Sequence, residues 1–353
     1  MRGVTLAICA LVVLLSSSPE PATCSSSVHR RYHSIFSFGD SFADTGNNPA
    51  VFAWHSVFDP VMRPPYGSTF FGRPTGRNCD GRLILDFIAE RLELPYALPY
   101  LGPPFAASPS PAGFRQGASF AVGAATALDV KFFRERGIPA PRSKFPFNTA
   151  SLGVQLEWFA TLKPSLCRTT QECKEFLGGS LFLVGEFGVN DYHFSFQRKS
   201  VREVRSYVPR VVRKISMAVE RLMEHGATSG ARGDPVGMLA AGAGLEELRG
   251  KHPHASIIYA DFFSPVMEMV ESPRKFGLRE DVLTVCCGGP GRNKRQRLLR
   301  RSARDHVRQP VGFPVLGRRH FTEAANRRIA AGWLTSNRRS SDARVACPGP
   351  ESY

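Results

Sequence analysis

Long apolar runs are scarce in this 353-residue chain. The one stretch of note, Val4 to Leu15, is shorter than the roughly 20 residues a membrane-spanning helix needs. It follows Arg2 and precedes the small and turn-forming residues Ser16 to Cys24, the layout of a signal peptide over residues 1–24. The sequence therefore predicts a secreted protein with no integral membrane segment. Asn-x-Ser/Thr sequons are absent, so N-glycosylation is not expected. No CxxC unit occurs, and no metal site is assigned. Acidic side chains are also in short supply, 30 against 46 lysines and arginines, which leaves a net charge of +16.

Most of that excess is local. Between Arg292 and Tyr353 there are 15 lysines and arginines against four acids. A basic run invites a nucleic-acid reading, but an exported chain does not meet nucleic acid, so no nucleic-acid partner is assigned. An acidic wall polysaccharide is the partner this charge would attract, and a solvated basic loop is the plainer reading. Beyond the leader six cysteines remain (Cys79, Cys167, Cys173, Cys286, Cys287 and Cys347), in a compartment where disulfides form. Cys167 and Cys173, separated by a polar turn, are the expected pair, and spacing does not pair the other four.

The hydrophobic share of 42% fits a globular chain long enough for one large domain. Short apolar runs at His33–Phe38, Ala118–Val122, Ser180–Val184 and Ser256–Tyr259 read as buried strands. Helical spacing marks Arg82–Leu94, Ser151–Leu162, the stripe Val211, Ile215, Val219 and Leu222, and Thr322–Leu334. Pro60 to Arg77 reads as loop. Strands alternating with helices predict an α/β fold in three layers, with a central parallel sheet covered by helices on both faces. In such sheets ligand chemistry lies at the carboxyl ends of the strands. Three polar segments follow strand ends: Gly39-Asp40-Ser41, Gly123, and Gly185 to Asn190.

Acyl transfer needs a nucleophile, a base, a group that orients the base, and donors for the developing oxyanion. A serine just past a strand and beside a glycine can present its hydroxyl at the mouth of a sheet. Read singly, Ser41 is a turn or capping residue, Asn190 likewise, Gly123 a backbone requirement, and His320 a surface side chain. Together they form a pattern. Phe38-Gly39-Asp40-Ser41-Phe42-Ala43-Asp44-Thr45-Gly46-Asn47-Asn48 resembles the first block of the plant GDSL-type esterase/lipases, of the SGNH hydrolase superfamily. Ser119 to Ala125 is similar to the second block, Val184 to Tyr192 to the third, and His320 to Asn326 to the fifth. The blocks occur in the family's order between about His33 and Leu334.

That resemblance implies an SGNH-hydrolase fold over residues 33–334, preceded by the leader and followed by a basic tail at 335–353. It implies Ser41 as nucleophile and His320 as general base. It also implies an oxyanion hole from Ser41 N–H, Gly123 N–H and the Asn190 side-chain amide, each donor worth about 3–4 kcal/mol in the transition state. The implied substrates are carboxylic esters of lipid or cell wall, the implied location is outside the cell, and no cofactor is required. A monomer is expected.

Two departures accompany the resemblance. The family's fifth block carries an aspartate three residues before the histidine, where this chain has Gly317, and the two arginines beside the base, Arg318 and Arg319, would lower its basicity by like-charge repulsion. In triad proteases, losing the orienting carboxylate lowers kcat about 10⁴-fold. The second departure is at 228–245, a Gly/Ala-rich stretch too short for the strand, loop and helix of relatives, which predicts a missing interior strand; 292–319 is atypical as well. A decayed copy or a misplaced exon boundary would account for both. Two functions follow: a secreted serine esterase of reduced activity, or a catalytically silent binding protein on the same fold.

Overall fold

The computed structural model describes residues 32–102, 111–138, 150–227, 237–240, 245–253, 255–280, 315–316 and 320–341. Six parallel strands form one sheet: β1 (Ser34–Phe38), β2 (Leu98–Pro99), β3 (Gly117–Ser119), β4 (Ser180–Val184), β5 (Gly237–Ala240) and β6 (Ser256–Tyr259). Their order across the sheet is β2-β3-β1-β4-β5-β6. A separate antiparallel pair joins β7 (Val315–Leu316) to β8 (His320–Phe321).

The helices are α1 (Asn47–Trp54), α2 (Ile84–Arg91), α3 (Val130–Glu135), α4 (Leu152–Leu166), α5 (Thr170–Gly178), α6 (Val189–Ser195), α7 (Val201–Arg205), α8 (Val208–Glu224), α9 (Leu245–Lys251), α10 (Phe263–Glu271) and α11 (Glu323–Ser341). Strand alternation sorts them into layers. Phe36, Phe38, Phe182 and Val184 face a cluster that includes Leu156, Phe159 and Leu162 of α4 and the Val211, Ile215, Val219 and Leu222 stripe of α8. Ile35, Leu181 and Leu183 face the opposite cluster, with Ile84, Leu85 and Ile88 of α2 and Ala325, Ile329 and Ala330 of α11. The sheet is thus covered on both faces, as the continuous apolar strands require.

Phe159 is the hub of the first layer. Its ring meets those of Phe36, Phe38, Phe120 and Phe182 edge-on at 5.7–5.9 Å between centroids. This tilted arrangement suits the aromatic quadrupole and adds to the burial term. It also ties β1, β4 and the end of β3 to one helix, next to the strand ends that lead to Ser41 and Gly185.

The expected loss of an interior strand is corrected. β5 lies between β4 and β6, with Phe182 opposite Met238 and Met238 opposite Ile257. Met238-Leu239-Ala240 is a short apolar run inside Gly/Ala-rich sequence, and ladders on both sides supply what local propensity lacks. The predicted β1, β4 and β6 and helices α2, α4 and α8 are present within a few residues of their expected limits, and α11 starts where expected. α11 continues to Ser341, into the region expected as a tail. The Cys167–Cys173 disulfide is formed. Among the described residues no helix is long and apolar enough to cross a membrane. The leader, Gly317, the run 292–308 and Cys286, Cys287 and Cys347 lie outside the described residues.

Candidate active site

Sequence places Ser41 three residues past β1, and the strand end fixes the turn that presents it. A Cβ on Gly39 would sit 2.8 Å from the carbonyl oxygen of Gly185 and 3.0 Å from Ala43 Cβ, so only glycine fits this close approach. Buried Gln155 of α4 then pins Gly39 from both sides. Its Oε1 accepts the Gly39 N–H at 2.9 Å, and its Nε2 donates to the Gly39 carbonyl at 2.8 Å. Gly185 N–H donates to Phe38 O and Val122 N–H to Gly39 O, which joins the three strand ends. The result is a rigid platform, and Ser41 stands half-buried on it.

His320 arrives from the far end of the chain. Its Nε2 lies 2.9 Å from Ser41 Oγ. With Ser41 as donor, Nε2 accepts and the ring proton sits on Nδ1, the arrangement a general base needs. The residues behind His320 are anchored. Glu323 N–H donates to Asp80 Oδ1 at 2.8 Å, while the Glu323 carboxylate takes Arg82 N–H at 3.0 Å and the Arg82 guanidinium at 2.6 Å. Asn326 Nδ2 donates to Arg82 O at 3.0 Å. Gly81 makes this clamp possible, since a Cβ there would meet Glu323 Oε2 at 1.8 Å. Phe42 buttresses the imidazole on another side, its ring edge-on to His320 at 5.6 Å.

The structure directs the expected oxyanion donors elsewhere. Gly123 N–H donates to Asp44 Oδ2 at 2.9 Å. Asn190 Nδ2 donates to Asp40 Oδ2 at 2.6 Å and to Ala125 O at 3.0 Å. All four sequence blocks therefore converge on residues 40–44, but two of the expected donors are engaged by carboxyl groups flanking Ser41. Beside Gly123, Ala124 adopts φ 68, a left-handed conformation that costs a non-glycine residue roughly 1–2 kcal/mol. An energetic outlier here fits a site held in shape by its surroundings.

Buried acids crowd this loop. Asp40 is 1% exposed, and burial with the neighbouring Glu186 carboxyl pushes its pKa well up. Burial raises Glu186 too, while its interactions with Asp40 and the Val189 N–H oppose that shift. Asp44 is raised to about 7 by burial, against the pull of the Gly46, Gly123 and Asn47 N–H groups. Asp191 is likewise raised to about 7 by burial while accepting the N–H groups of Leu128 and Ala127. Sequence reasoning did not assign roles to Asp40, Asp44, Gln155, Glu186 or Glu323. Asp40 and Asp44 flank Ser41 and could have been suspected. Gln155 and Glu323 act only through tertiary contact.

Among the described residues no group of three or more His, Cys, Asp or Glu side chains could hold a metal ion. The arrangement suits proton transfer from a serine hydroxyl to an imidazole, the step that begins acyl transfer.

The GDSL-like Lipase/Acylhydrolase family profile matches residues 35–333. A GDSL esterase/lipase of Arabidopsis thaliana is 39% identical over 346 residues, covering 86% of this chain and 91% of the relative. A second Arabidopsis thaliana GDSL esterase/lipase is 35% identical over 364 residues, with 92% of this chain and 87% of the relative covered. The sinapine esterase of Brassica napus is 35% identical over 367 residues, 91% of this chain and 88% of its own. With the sheet, the four blocks and the Ser41–His320 contact already in place, these matches establish that the chain belongs to the GDSL-like lipase/acylhydrolase family of hydrolases acting on ester bonds.

Proposed function

We propose that this protein hydrolyses carboxylic esters by a covalent serine mechanism at Ser41, with His320 as base. The observation that carries the reading is the 2.9 Å contact between Ser41 Oγ and His320 Nε2, made across 279 residues of chain. Ser41 Oγ gives its proton to Nε2 and attacks the ester carbonyl. The imidazolium then returns the proton to the departing alcohol, and water cleaves the acyl-enzyme by the same steps in reverse. Asn190 and Gly123 serve the oxyanion by exchanging their partners Asp40 and Asp44 for the substrate oxygen. Protonated carboxyl groups accept more weakly than carboxylates, so the neutral forms of Asp40 and Asp44 favour that exchange.

The natural ester is one met outside the cell, of lipid or wall, if residues 1–24 act as an export signal. With Gly317 where the resemblance calls for aspartate, turnover is slow. Purified protein should hydrolyse short p-nitrophenyl esters, and Ser41→Ala should abolish this. Equal rates in the two proteins would refute the assignment.

One observation favours a second reading, a silent binding protein: both Gly123 and Asn190 are engaged by carboxyl groups instead of facing a shared point. Absence of any Ser41-dependent turnover in folded protein would select it.

A further inference from the structure

Three exposed apolar side chains border the loop that carries Ser41. Phe58, Val189 and Phe263 are 52–69% exposed, and each adjoins a residue that touches this loop, directly or through one side chain. Asp59, next to Phe58, accepts the Asn48 side-chain amide at 2.8 Å, and Asn48 N–H donates to Asp44 at 3.1 Å. Asn190, next to Val189, donates to Asp40 at 2.6 Å. Phe262, next to Phe263, sets its ring 5.4 Å from that of Phe42. The three come from separate stretches of chain, after β1, β4 and β6, so the fold brings them to one edge.

A basic run continues this edge beyond α6. Residues 196–210 carry five lysines and arginines against one acid, Glu203. Lys199 pairs with Glu203 at 3.6 Å, whereas Arg198, Arg202 and Arg205 are exposed with no ion-pair partner among the described residues. Phe196, Val201 and Val208 stand exposed among them. β4 and β5 run parallel, so the chain between them must return along the sheet, and α8 makes that return. The segment before α8 therefore lies at the carboxyl edge of the sheet, where Ser41 stands. Arg63 adds a further exposed cation, its guanidinium 4.6 Å from the centre of the Phe58 ring.

Single exposed apolar side chains are ordinary, but a group of them set among arginines at one edge marks an interaction surface. Arginines alone would suit any polyanion. Phenylalanine and valine gain only where an apolar phase takes them out of water, which an acidic polysaccharide does not offer. A second copy of this chain would oppose the same arginines to one another. A bilayer with anionic headgroups meets both demands, with phosphates for the guanidinium groups and an acyl boundary for the apolar side chains.

We propose that this edge docks on an anionic lipid bilayer, with Phe58, Val189 and Phe263 in the headgroup–acyl boundary and Arg198, Arg202 and Arg205 on lipid phosphates. That the bilayer also supplies the ester rests on the esterase reading above; docking itself does not. Docking is therefore measured without turnover, in Ser41→Ala protein, by co-sedimentation with vesicles. Phosphatidylcholine vesicles containing about 30% phosphatidylglycerol should bind the protein at least about tenfold more tightly than phosphatidylcholine alone. Phe263→Ser, and the pair Arg202→Ser with Arg205→Ser, should each weaken that binding severalfold. These positions are exposed and lie outside the reacting groups, so the same changes should leave hydrolysis of a soluble p-nitrophenyl ester by the Ser41 protein unaltered.

A second measurement reads insertion. Phe263→Trp adds an indole at the edge, and brominated lipid in the anionic vesicles should quench its emission beyond the quenching seen in the parent protein. Equal binding to the two vesicle types, binding unchanged in both sets of variants, or an indole that brominated lipid does not quench would overturn the proposal. Retention on polygalacturonate without vesicle binding would overturn it in favour of an acidic polysaccharide. Binding that disappears when residues 292–308 alone are neutralised, and that the edge variants do not touch, would overturn it as well. Vesicle binding without Ser41-dependent hydrolysis would leave the docking surface standing and remove the esterase reading, and hydrolysis without vesicle binding would do the reverse.

Discussion

Asp44 Oδ2 accepts the backbone N–H of Gly123 at 2.9 Å, joining the loop that carries Ser41 to the segment after β3. The same carboxyl receives Gly46 and Asn47 N–H on Oδ1 and Asn48 N–H on Oδ2. One side chain thereby closes the loop, starts α1 and fixes Gly123. Carboxyl protonation at this point reaches both stability and the availability of Gly123.

The first prediction concerns pH and stability. Asp44 and Asp191 are each raised by burial from 3.8 to about 7 in the folded protein. A raised folded pKa means the folded state holds the proton more tightly than the unfolded chain. Their contribution to stability is therefore complete below about pH 4 and lost as pH rises from there through about 7. The melting temperature should fall across that window, and Asp191→Asn should flatten the fall. A slope identical in the variant would show that Asp191 is not responsible.

Glu323 carries the second. Its carboxylate is 5% exposed and bonded to Arg82, which is itself 12% exposed. Removing one partner of a buried pair typically costs about 3–5 kcal/mol. Glu323→Ala should lower the unfolding free energy by about 3 kcal/mol in urea. In protein that remains folded, kcat should fall more than KM rises, because the segment carrying His320 loses its anchor. Unchanged stability would place the anchor of α11 elsewhere.

How far the sequence foretold these features depended on whether each signal was local. β1, β4 and β6 are short runs dominated by apolar residues, and the α8 stripe repeats at helical spacing, so each reads as a buried element without tertiary information. β5 does not: Gly237 to Ala240 has weak strand propensity, and its pairing with β4 and β6 makes it a strand. Ser41, Gly123, Asn190 and His320 stood out because each sits in a block of recognisable residues. The partners of the two donors did not, since the reach of Asp44 to Gly123 and of Asp40 to Asn190 spans 79 and 150 residues. Gln155 was hidden for the same reason. Within α4 it is one polar residue, and only the fold sets its two ends against Gly39.

A third prediction restores what the fifth block lacks. Gly317→Asp places a carboxylate three residues before His320, where it can orient the imidazole and stabilise the imidazolium. Such a group acts in the transition state, so kcat should rise about tenfold or more with little change in KM. Flat kinetics in folded protein would mean that residue 317 does not reach His320.

The most direct test of the central claim, that Ser41 and His320 form a working nucleophile and base, is covalent labelling by a fluorophosphonate followed by peptide mapping. The account predicts a single adduct on Ser41, formed much more slowly in His320→Ala and not at all in Ser41→Ala. Labelling that maps to another residue, or that proceeds equally fast without the imidazole, would contradict it.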